Sequence, residues 1–277
     1  MRIGIFDSGI GGLTTLVACL RYLPDEEYFF FADNANAPYG DRDPGQVREW
    51  TEKAYEYFLA RSADAVVLAC NSATSAAAAT LREHSRKVPV IGIEPAIKKA
   101  LSADDGRILL LATELTARGE KLQQLLQGLP GGMERVDVLA CPGWMEIIER
   151  QDHQWREQAG KYWEQHIAGV MDTGIRGIVL GCTHYCWLAG DILRWTGSGC
   201  QVFDGNDGVA RQLYRQVMGR EAPEPGRIPA RVRMHFCFSA NAQEKKSLAV
   251  RLLASHGMKV EDADRETDPA PCLRLAP

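Results

Sequence analysis

The stretch Ile178-Val-Leu-Gly-Cys182-Thr-His-Tyr185 decides the fold of this chain, because a short apolar run ends there abruptly on glycine, cysteine and polar residues. Ala65-Val-Val-Leu-Ala-Cys70-Asn-Ser72 has the same pattern earlier in the chain. An apolar run this short, followed by polar residues and a helical pattern, predicts a buried parallel strand that opens into a loop. Each cysteine would then lie at the carboxyl end of a strand, where open α/β sheets bind their ligands.

Other segments recur in the same order on either side of these two cysteine strands. Ile3–Ser8 resembles Ile108–Thr113, and Val90–Glu94 resembles Gln201–Asp204. Three repeated elements indicate an old duplication. They predict an α/β fold with two pseudo-symmetric lobes, each a mostly parallel sheet flanked by helices. The two cysteines would face each other across the cleft between the lobes, and we predict that this cleft is the active site.

The boundaries of the lobes follow from where the repeat begins and ends. We predict that residues 1–95 and 205–277 form the first lobe and residues 96–204 the second. Within the second lobe, Trp155 to Val170 reads as one long helix. In the returning segment, apolar residues alternate with polar ones from Arg231 to Phe238, which predicts a strand buried on one face. A helix near residues 241–256 then precedes a polar tail that we expect to be poorly ordered.

Size and composition describe an ordinary globular chain. It has 277 residues, of which 45% are hydrophobic and 25% charged, enough for two lobes with their own cores. A net charge of −4 and a pI near 5.9 give no general attraction to nucleic acid. No stretch approaches the roughly 20 apolar residues of a membrane span, and the amino terminus lacks an apolar signal core. We therefore expect a cytoplasmic protein without nucleic-acid or membrane partners.

The cysteines suggest thiol chemistry in a reducing compartment. Eight cysteines without a Cys-x-x-Cys pair are typical of reduced thiols. A thiol reacts usefully when its pKa falls below about 8.5, and a helix N-terminus can lower it. Both Cys70 and Cys182 precede a predicted helix, and Asp7 and His184 are the nearest groups that could orient a thiol or take its proton. Three further side chains could tune the thiols or hold a substrate carboxylate: Asn71, Ser72 and Thr183.

Each of these features also has a structural interpretation. One cysteine ending a buried strand is usually inert packing, but two in matched contexts favour function. Cys182-x-His184-x-Cys186 could bind a metal, yet no second cluster has zinc spacing, so we expect no metal. The glycines at positions 9, 11 and 12 resemble a dinucleotide loop, but the third glycine of that motif would fall at Thr14, so we expect no dinucleotide cofactor. The glycines instead let the backbone approach a small anion.

The remaining histidines and cysteines lack an evident sequence partner, and we interpret them as structural. They are His84, His153, His166, His235, His256, Cys19, Cys141, Cys186, Cys200, Cys237 and Cys272. Asp33 and Glu149 stay open between a solvated carboxylate and a group that reaches the cleft.

Five motifs together resemble glutamate racemase, a family of cofactor-independent amino-acid racemases with two similar α/β lobes. The resemblance spans nearly all of the first 210 residues. The motifs are Phe6–Leu13, Pro38–Gly40, Ala69–Asn71, Val90–Ala96 and Leu180–Tyr185. The resemblance implies that Cys70 acts on D-glutamate and Cys182 on L-glutamate, one thiolate removing the α-proton while the opposing thiol protonates the other face.

The resemblance also implies a set of supporting residues. Asp7 and His184 would assist the thiols as catalytic residues. The residues that would contact or orient the substrate are Asp7, Ser8, Tyr39, Gly40, Asn71, Ser72, Thr113, Thr116, Glu149, Thr183 and His184. This chain departs from the family pattern at Ser72, Cys186-Trp187, Asp204–Asn206 and the loop Asp33–Ala37, and none of these departures removes a catalytic group.

The implied function is interconversion of L- and D-glutamate, which supplies D-glutamate for peptidoglycan, with glutamate as the partner and a homodimer left open. Aspartate or another acidic amino acid is the nearest alternative substrate, but His184 favours glutamate because aspartate-type relatives usually carry glutamate there. A thiol redox or metal-binding protein is an alternative of a different class. It would require Cys186, whereas racemisation tolerates Cys186→Ser. A catalytically dead homologue would not need both cysteines intact.

Overall fold

The computed structural model describes residues 1–85, 88–171 and 173–262. The polar tail predicted after residue 256 begins with a strand, Lys259–Asp262, that pairs with its neighbour in the sheet, so the prediction of poor order is wrong for these residues. The rest of the tail, with Cys272, lies outside the described residues. The strands are β1 (Arg2–Asp7), β2 (Glu27–Ala32), β3 (Ala65–Leu68), β4 (Val90–Gly92), β5 (Arg107–Ala112), β6 (Val136–Ala140), β7 (Ile175–Gly181), β8 (Gln201–Asp204), β9 (Arg231–Phe238) and β10 (Lys259–Asp262).

Helices alternate with these strands along the chain. They are α1 (Leu13–Leu20), α2 (Pro44–Ala60), α3 (Asn71–His84), α4 (Ile97–Ala103), α5 (Glu114–Arg118), α6 (Glu120–Gln127), α7 (Gly132–Arg135), α8 (Trp144–Arg150), α9 (Trp155–His166), α10 (Ala168–Met171), α11 (Ala189–Thr196), α12 (Asn206–Met218) and α13 (Ala242–Ser255). Short 3-10 helices span Ile10–Gly12, Tyr39–Asp41, Thr183–Leu188 and Gly197–Gly199.

The described strands form two sheets with the same core order. The first sheet has the order β10-β9-β2-β1-β3-β4, the second has the order β6-β5-β7-β8, and every pair is parallel. Strands β2-β1-β3-β4 therefore correspond in position to β6-β5-β7-β8. The predicted α/β fold with two similar lobes is confirmed, and the three sequence repeats are β1 with β5, β3 with β7 and β4 with β8.

Apolar layers cover both faces of each sheet, as parallel sheets require. Helices α1, α12 and α13 cover one face of the first sheet, where Leu16, Leu213 and Leu248 pack together. Helices α2 and α3 cover the other face. The second sheet lies between a layer containing Trp144 and Trp163 and a layer built on α4 and α6. Strand β3 is buried throughout and β5 is buried from Ile108 onward, which explains why both read as unbroken apolar runs.

Strand β9 departs from the predicted one-sided burial. Val232 and Met234 are buried between exposed neighbours, as predicted, but Cys237 and Phe238 are consecutive and both buried. Phe238 joins the core under α1 and Cys237 the core under α2, because β9 lies inside the sheet between β2 and β10. The prediction is therefore wrong for the carboxyl half of this strand.

Two further predictions need correction. The helix that begins at Trp155 ends at His166 instead of continuing to Val170: Ile167 caps it at φ −118°, and a separate short helix, α10, carries Val170. His235 has a partner: its Nε2 lies 2.8 Å from Glu27 Oε1 and its ring stacks on a phenylalanine. The predicted lobe boundaries stay a prediction. None of the helices in the described ranges combines the length and apolar character needed to span a bilayer.

Candidate active site

The two predicted thiols lie at equivalent strand ends but in different local structures. Cys70 follows β3 and caps α3, where its Sγ accepts the Ala73 N–H at 3.5 Å and lies 3.7 Å from Ser8 Oγ. Cys182 follows β7 and precedes the 3-10 helix Thr183–Leu188, for which it makes no side-chain cap. The prediction of a helix start is therefore confirmed for Cys70, whereas Cys182 precedes a 3-10 helix only.

Both thiols line one narrow cavity of about 10 Å³. The residues around it are Ser8, Tyr39, Gly40, Cys70, Asn71, Ser72, Thr113, Met145, Cys182, Thr183 and His184. All of these except Met145 are site residues predicted from the sequence. A cavity of this size has room for about one water molecule, so the lobes are closed around the thiols.

Asp7 lies one layer behind the cavity and ties the two lobes together. The carboxylate is completely buried and accepts hydrogen bonds from Gly9 N–H at 2.8 Å and Thr183 Oγ1–H at 2.9 Å. Burial raises the pKa of Asp7 from 3.8 to about 6, against the lowering effect of His184 and these hydrogen bonds. A carboxyl that titrates near neutrality is suited to accept a proton at physiological pH.

His184 connects Cys182 to a buried carboxylate. Its Nε2 lies 2.7 Å from Glu149 Oε2 and its Nδ1 lies 3.9 Å from Cys182 Sγ. We assign the imidazole proton to Nε2, because an ionised carboxylate can only accept, and this leaves the Nδ1 lone pair facing the thiol. Burial disfavours the charged imidazole, but the hydrogen bond and charge of Glu149 outweigh burial and raise the pKa of His184.

Glu149 is itself held by three groups. Oε2 also accepts the Ile10 N–H at 2.9 Å, and Oε1 lies 2.6 Å from the ammonium of Lys245. Burial would raise the pKa of Glu149, but His184 and Lys245 outweigh it and the pKa is lowered. The open question about Glu149 is thus answered: it reaches the site from α8 and supports His184.

Burial disfavours the ionised form of both thiols. Burial raises the pKa of Cys70 to about 12, and the charge of Asp7 adds to that rise. Burial also raises the pKa of Cys182 well above its usual range, although a hydrogen bond from the backbone N–H of His184 lowers it in part. The sequence left the protonation state of the thiols open and offered the following helix start as a group that can lower their pKa. In this structure removal from water is the largest effect, and it raises the pKa of both thiols.

Hydroxyl and amide groups line the cavity between the thiols. Ser72 Oγ lies 3.0 Å from Thr113 Oγ1, which donates to Thr116 Oγ1 at 3.1 Å. Thr116 therefore supports Thr113 from behind and does not line the cavity. Within the described residues, neither amide atom of the buried Asn71 has a hydrogen-bond partner. An unpaired buried amide is costly, so this side chain is the group most in need of a ligand.

The loop after β2 fixes Tyr39 at the cavity wall. The Tyr39 hydroxyl donates to Asp33 Oδ2 at 2.6 Å, and the Asn36 amide donates to the same carboxylate. Asp33 is buried and therefore positions a predicted site residue. Gly40 follows in close contact with the other lobe, where a Cβ atom would lie 2.6 Å from Thr113 Cβ. Only glycine fits at this position without moving Thr113.

Cys186, the residue on which the redox and metal alternatives depend, is packed beside the site. Its Sγ lies 3.8 Å from the Cys182 carbonyl and 3.6 Å from Asn206 Nδ2. Across residues 1–85, 88–171 and 173–262, no group of three His, Cys, Asp or Glu side chains is arranged to hold a metal ion. These contacts agree with the structural interpretation of Cys186.

Two larger cavities lie away from the thiols. One of about 220 Å³ reaches Asn71 and Thr116 from behind, between α3 and α6. A shallow depression of about 1150 Å³ lies between the first residues of α4 and helix α12, near Lys98 and Arg211. Neither is lined by a cysteine, so neither fits the thiol chemistry that the sequence predicts.

Sequence reasoning missed Met145 and Lys245. Met145 lies on α8, four positions before Glu149, so a helical projection from Glu149 could have indicated it. For Lys245 no local signal existed, since Lys246 follows it directly on an ordinary amphipathic helix.

Comparisons with known proteins agree with this site. The sequence profile of the Asp/Glu/Hydantoin racemase family matches residues 12–213. A glutamate racemase of Clostridium perfringens is 39% identical over 216 residues, which are 78% of this chain and 82% of that protein.

Among solved structures, a glutamate racemase isoform of Bacillus anthracis is 26% identical with a TM-score of 0.79, covering 95% of this chain and 97% of that one. The Thermus thermophilus glutamate racemase, solved with β-chloro-D-alanine, is 30% identical with a TM-score of 0.69, covering 94% and 95%. This chain belongs to the Asp/Glu/Hydantoin racemase family.

Proposed function

We propose that this protein is a glutamate racemase that interconverts L- and D-glutamate without a cofactor and supplies D-glutamate for peptidoglycan. One observation carries the proposal: two thiols from matching strands of two similar sheets line a single narrow cavity. Between them lie hydroxyl and amide groups suited to the carboxylates and ammonium of an amino acid, since buried charges demand partners.

The proposed reaction removes the α-proton from one face of the α-carbon and delivers a proton to the other. With L-glutamate, the Cys182 thiolate takes the α-proton and the bonding electron pair stays on the substrate, delocalised into the α-carboxylate. The Cys70 thiol then delivers its proton to the opposite face, which gives D-glutamate. Cys182 is left as the thiol and Cys70 as the thiolate, ready for the reverse reaction.

The buried thiols need help to ionise, and two groups are placed to give it. The substrate ammonium adds positive charge beside the cavity, which lowers the pKa of a neighbouring thiol. His184 Nδ1 lies 3.9 Å from Cys182 Sγ and can accept the proton of that thiol. Asp7 is not one of them, because its negative charge raises the pKa of both thiols. Burial raises the pKa of Asp7 itself to about 6, which favours the neutral carboxyl and limits this opposition.

Glutamate is favoured over aspartate as the substrate by two observations. The curated relatives that match at 37 to 39% identity are glutamate racemases. His184 also stands in the second cysteine motif, where aspartate-type relatives usually carry glutamate. The proposed partners of the substrate carboxylates and ammonium are polar residues that line the cavity: Ser8, Asn71, Ser72, Thr113 and Thr183.

Incubation of the metal-free protein with L-glutamate in deuterated water tests the proposal. Without any added cofactor, we expect the optical rotation of the solution to fall. NMR should show deuterium from the solvent entering the α position of glutamate. Inversion and exchange with aspartate alone would keep the mechanism and change the substrate. Silence with every acidic amino acid, or an activity lost in Cys186→Ser, would contradict the proposal and favour the redox or metal alternative.

We also propose a cytoplasmic location, because reduced thiols persist there. A homodimer and the lobe division at residues 95 and 205 stay predictions. Light scattering during size-exclusion chromatography tests the first, and limited proteolysis at the two crossings tests the second.

A further inference from the structure

The support of His184 extends beyond Glu149 to a lysine on the last helix. Glu149 is mostly buried, and both of its oxygens are occupied. Oε2 accepts hydrogen bonds from His184 Nε2 and from the Ile10 N–H, while Oε1 accepts one from the Lys245 ammonium. Lys245 is as buried as its partner, each side chain being 14% exposed. Charge-assisted hydrogen bonds with little exposure hold both groups in a narrow range of geometry.

The helix that carries Lys245 is anchored to the site a second time. The turn before α13 pairs with the loop after β2: Asn34 Nδ2 donates to the Ala240 carbonyl at 2.6 Å, and Ala35 N–H donates to Ser239 Oγ at 2.8 Å. This loop begins at Asp33, which holds Tyr39. The anchored segment lies beyond residues 12–213, which the family profile matches.

We propose that Lys245 is a positioning residue of the racemase: its ammonium occupies Oε1 of Glu149, so that Oε2 fixes the His184 imidazole with Nδ1 against Cys182. This inference rests on the proposed function of the site. It assigns a role in the reaction to α13, a helix of the first lobe that acts on a histidine of the second.

The charges around His184 explain why Lys245 matters for more than stability. The groups that face the imidazole are Glu149 on α8, Asp7 at the end of β1, Cys182 before it in the chain and Lys245 on α13. The two carboxylates raise the pKa of His184, and Lys245 is the cation that opposes them. Without Lys245, Oε1 is left without a cation, Glu149 is free to turn, and His184 holds its proton more tightly.

The first test compares Lys245→Met with Lys245→Arg and with Arg251→Met, which removes an exposed cation from the same helix. We expect Lys245→Met to lower kcat/KM by about 10- to 100-fold, the usual cost of losing a group that orients a catalytic one. The acid limb of its kcat/KM profile should move to higher pH. Lys245→Arg should restore most of the activity, and Arg251→Met should match the wild type. Equal profiles for Lys245→Met and Arg251→Met would overturn the proposal.

A second test separates positioning from folding. In a Glu149→Gln background the buried carboxylate is gone, so Lys245→Met should cause no further loss of kcat/KM. A further loss of about tenfold would show that Lys245 acts elsewhere and would overturn the proposal. NMR titration of the His184 ring needs no turnover: we expect a higher imidazole pKa in Lys245→Met than in the wild type. An unchanged pKa contradicts the inference, even if the substrate proves not to be glutamate.

Discussion

At the residue scale, the two thiols have equivalent positions but unequal surroundings. Cys70 contacts a backbone N–H and Ser8, whereas Cys182 contacts an imidazole that is held by Glu149. The sequence repeat predicts the equivalence, because it depends on strands that end in the same way. The difference depends on residues that arrive from other parts of the chain.

This inequality gives a prediction for single-thiol variants. Cys70→Ala and Cys182→Ala should each abolish racemisation, because inversion needs a base on one face and an acid on the other. Cys70→Ala should still exchange the α-proton of L-glutamate with deuterated solvent, since Cys182 is intact. Cys182→Ala should exchange only D-glutamate. NMR of the α position with each pure enantiomer measures this, and inversion at the wild-type rate by either variant would refute the two-thiol mechanism.

The burial of Asp7 predicts how stability depends on pH. Its folded pKa of about 6 lies above its ordinary value of 3.8, so the ionised carboxylate destabilises the fold. This cost is absent below the ordinary pKa, grows as pH rises to about 6 and is complete above it. The isosteric variant Asp7→Asn removes the charge. Its free energy of unfolding should exceed that of the wild type by up to about 3 kcal/mol above that pH.

Urea unfolding at about pH 4 and about pH 7.5 measures the difference for both proteins. The higher free energy of unfolding of Asp7→Asn should appear at the higher pH and largely vanish at the lower one. The racemase activity of this variant should be lower than that of the wild type. A variant less stable than the wild type at the higher pH would contradict the assignment.

At the scale of elements, two short 3-10 helices bring the lobes into contact. Ile10–Gly12 in the first lobe packs against Thr183–Leu188 in the second. A Cβ atom on Gly11 would lie 2.5 Å from both Thr183 Oγ1 and His184 Nδ1 and 2.8 Å from the His184 backbone N. Gly11 therefore allows the backbones of the two 3-10 helices to approach each other closely. The sequence explained this glycine only by the approach of a small anion.

Gly11→Ala should push these two 3-10 helices apart and misplace His184. We expect kcat/KM to fall by about 100-fold, the effect of a displacement near 1 Å at a reacting group, with little change in circular dichroism. Gly208→Ala is the matched control, because Gly208 lies in α12 and the space that an added methyl group would take there is open. It should keep full activity and gain about 0.5–1 kcal/mol of stability. Activity near wild type in Gly11→Ala would show that the lobes tolerate the separation.

At the scale of the whole molecule, the narrow cavity implies that the lobes must separate for substrate to enter. About 10 Å³ of space lies between groups from both lobes, and hydrogen bonds such as Thr183 to Asp7 and Ser72 to Thr113 join them. The thiols are 6% and 7% exposed, so they are inaccessible in this arrangement.

Alkylation by iodoacetamide measures this opening. Cys70 and Cys182 should react about tenfold or more slowly in the folded protein than in denaturing urea, since both burial and a raised thiol pKa suppress reaction. Peptide mass spectrometry quantifies each site. Labelling of either thiol as fast as in urea would show that the cavity is open most of the time.

The sequence by itself determined the two-lobed α/β fold, the strands that end in Cys70 and Cys182, and nearly every side chain that lines the cavity. The fold and the thiol strands depend on local apolar patterns, which a duplicated chain displays twice. Asn71, Ser72, Thr183 and His184 follow the thiols directly in the chain, whereas Ser8, Tyr39, Gly40 and Thr113 were indicated by the resemblance to glutamate racemase. Tertiary structure alone decided that Lys245 holds Glu149 across 96 positions, that Asp33 holds Tyr39 in the cavity wall, and that burial raises the pKa of both thiols. Distances between remote residues and the exclusion of water arise only when the lobes pack, so no local pattern encodes them.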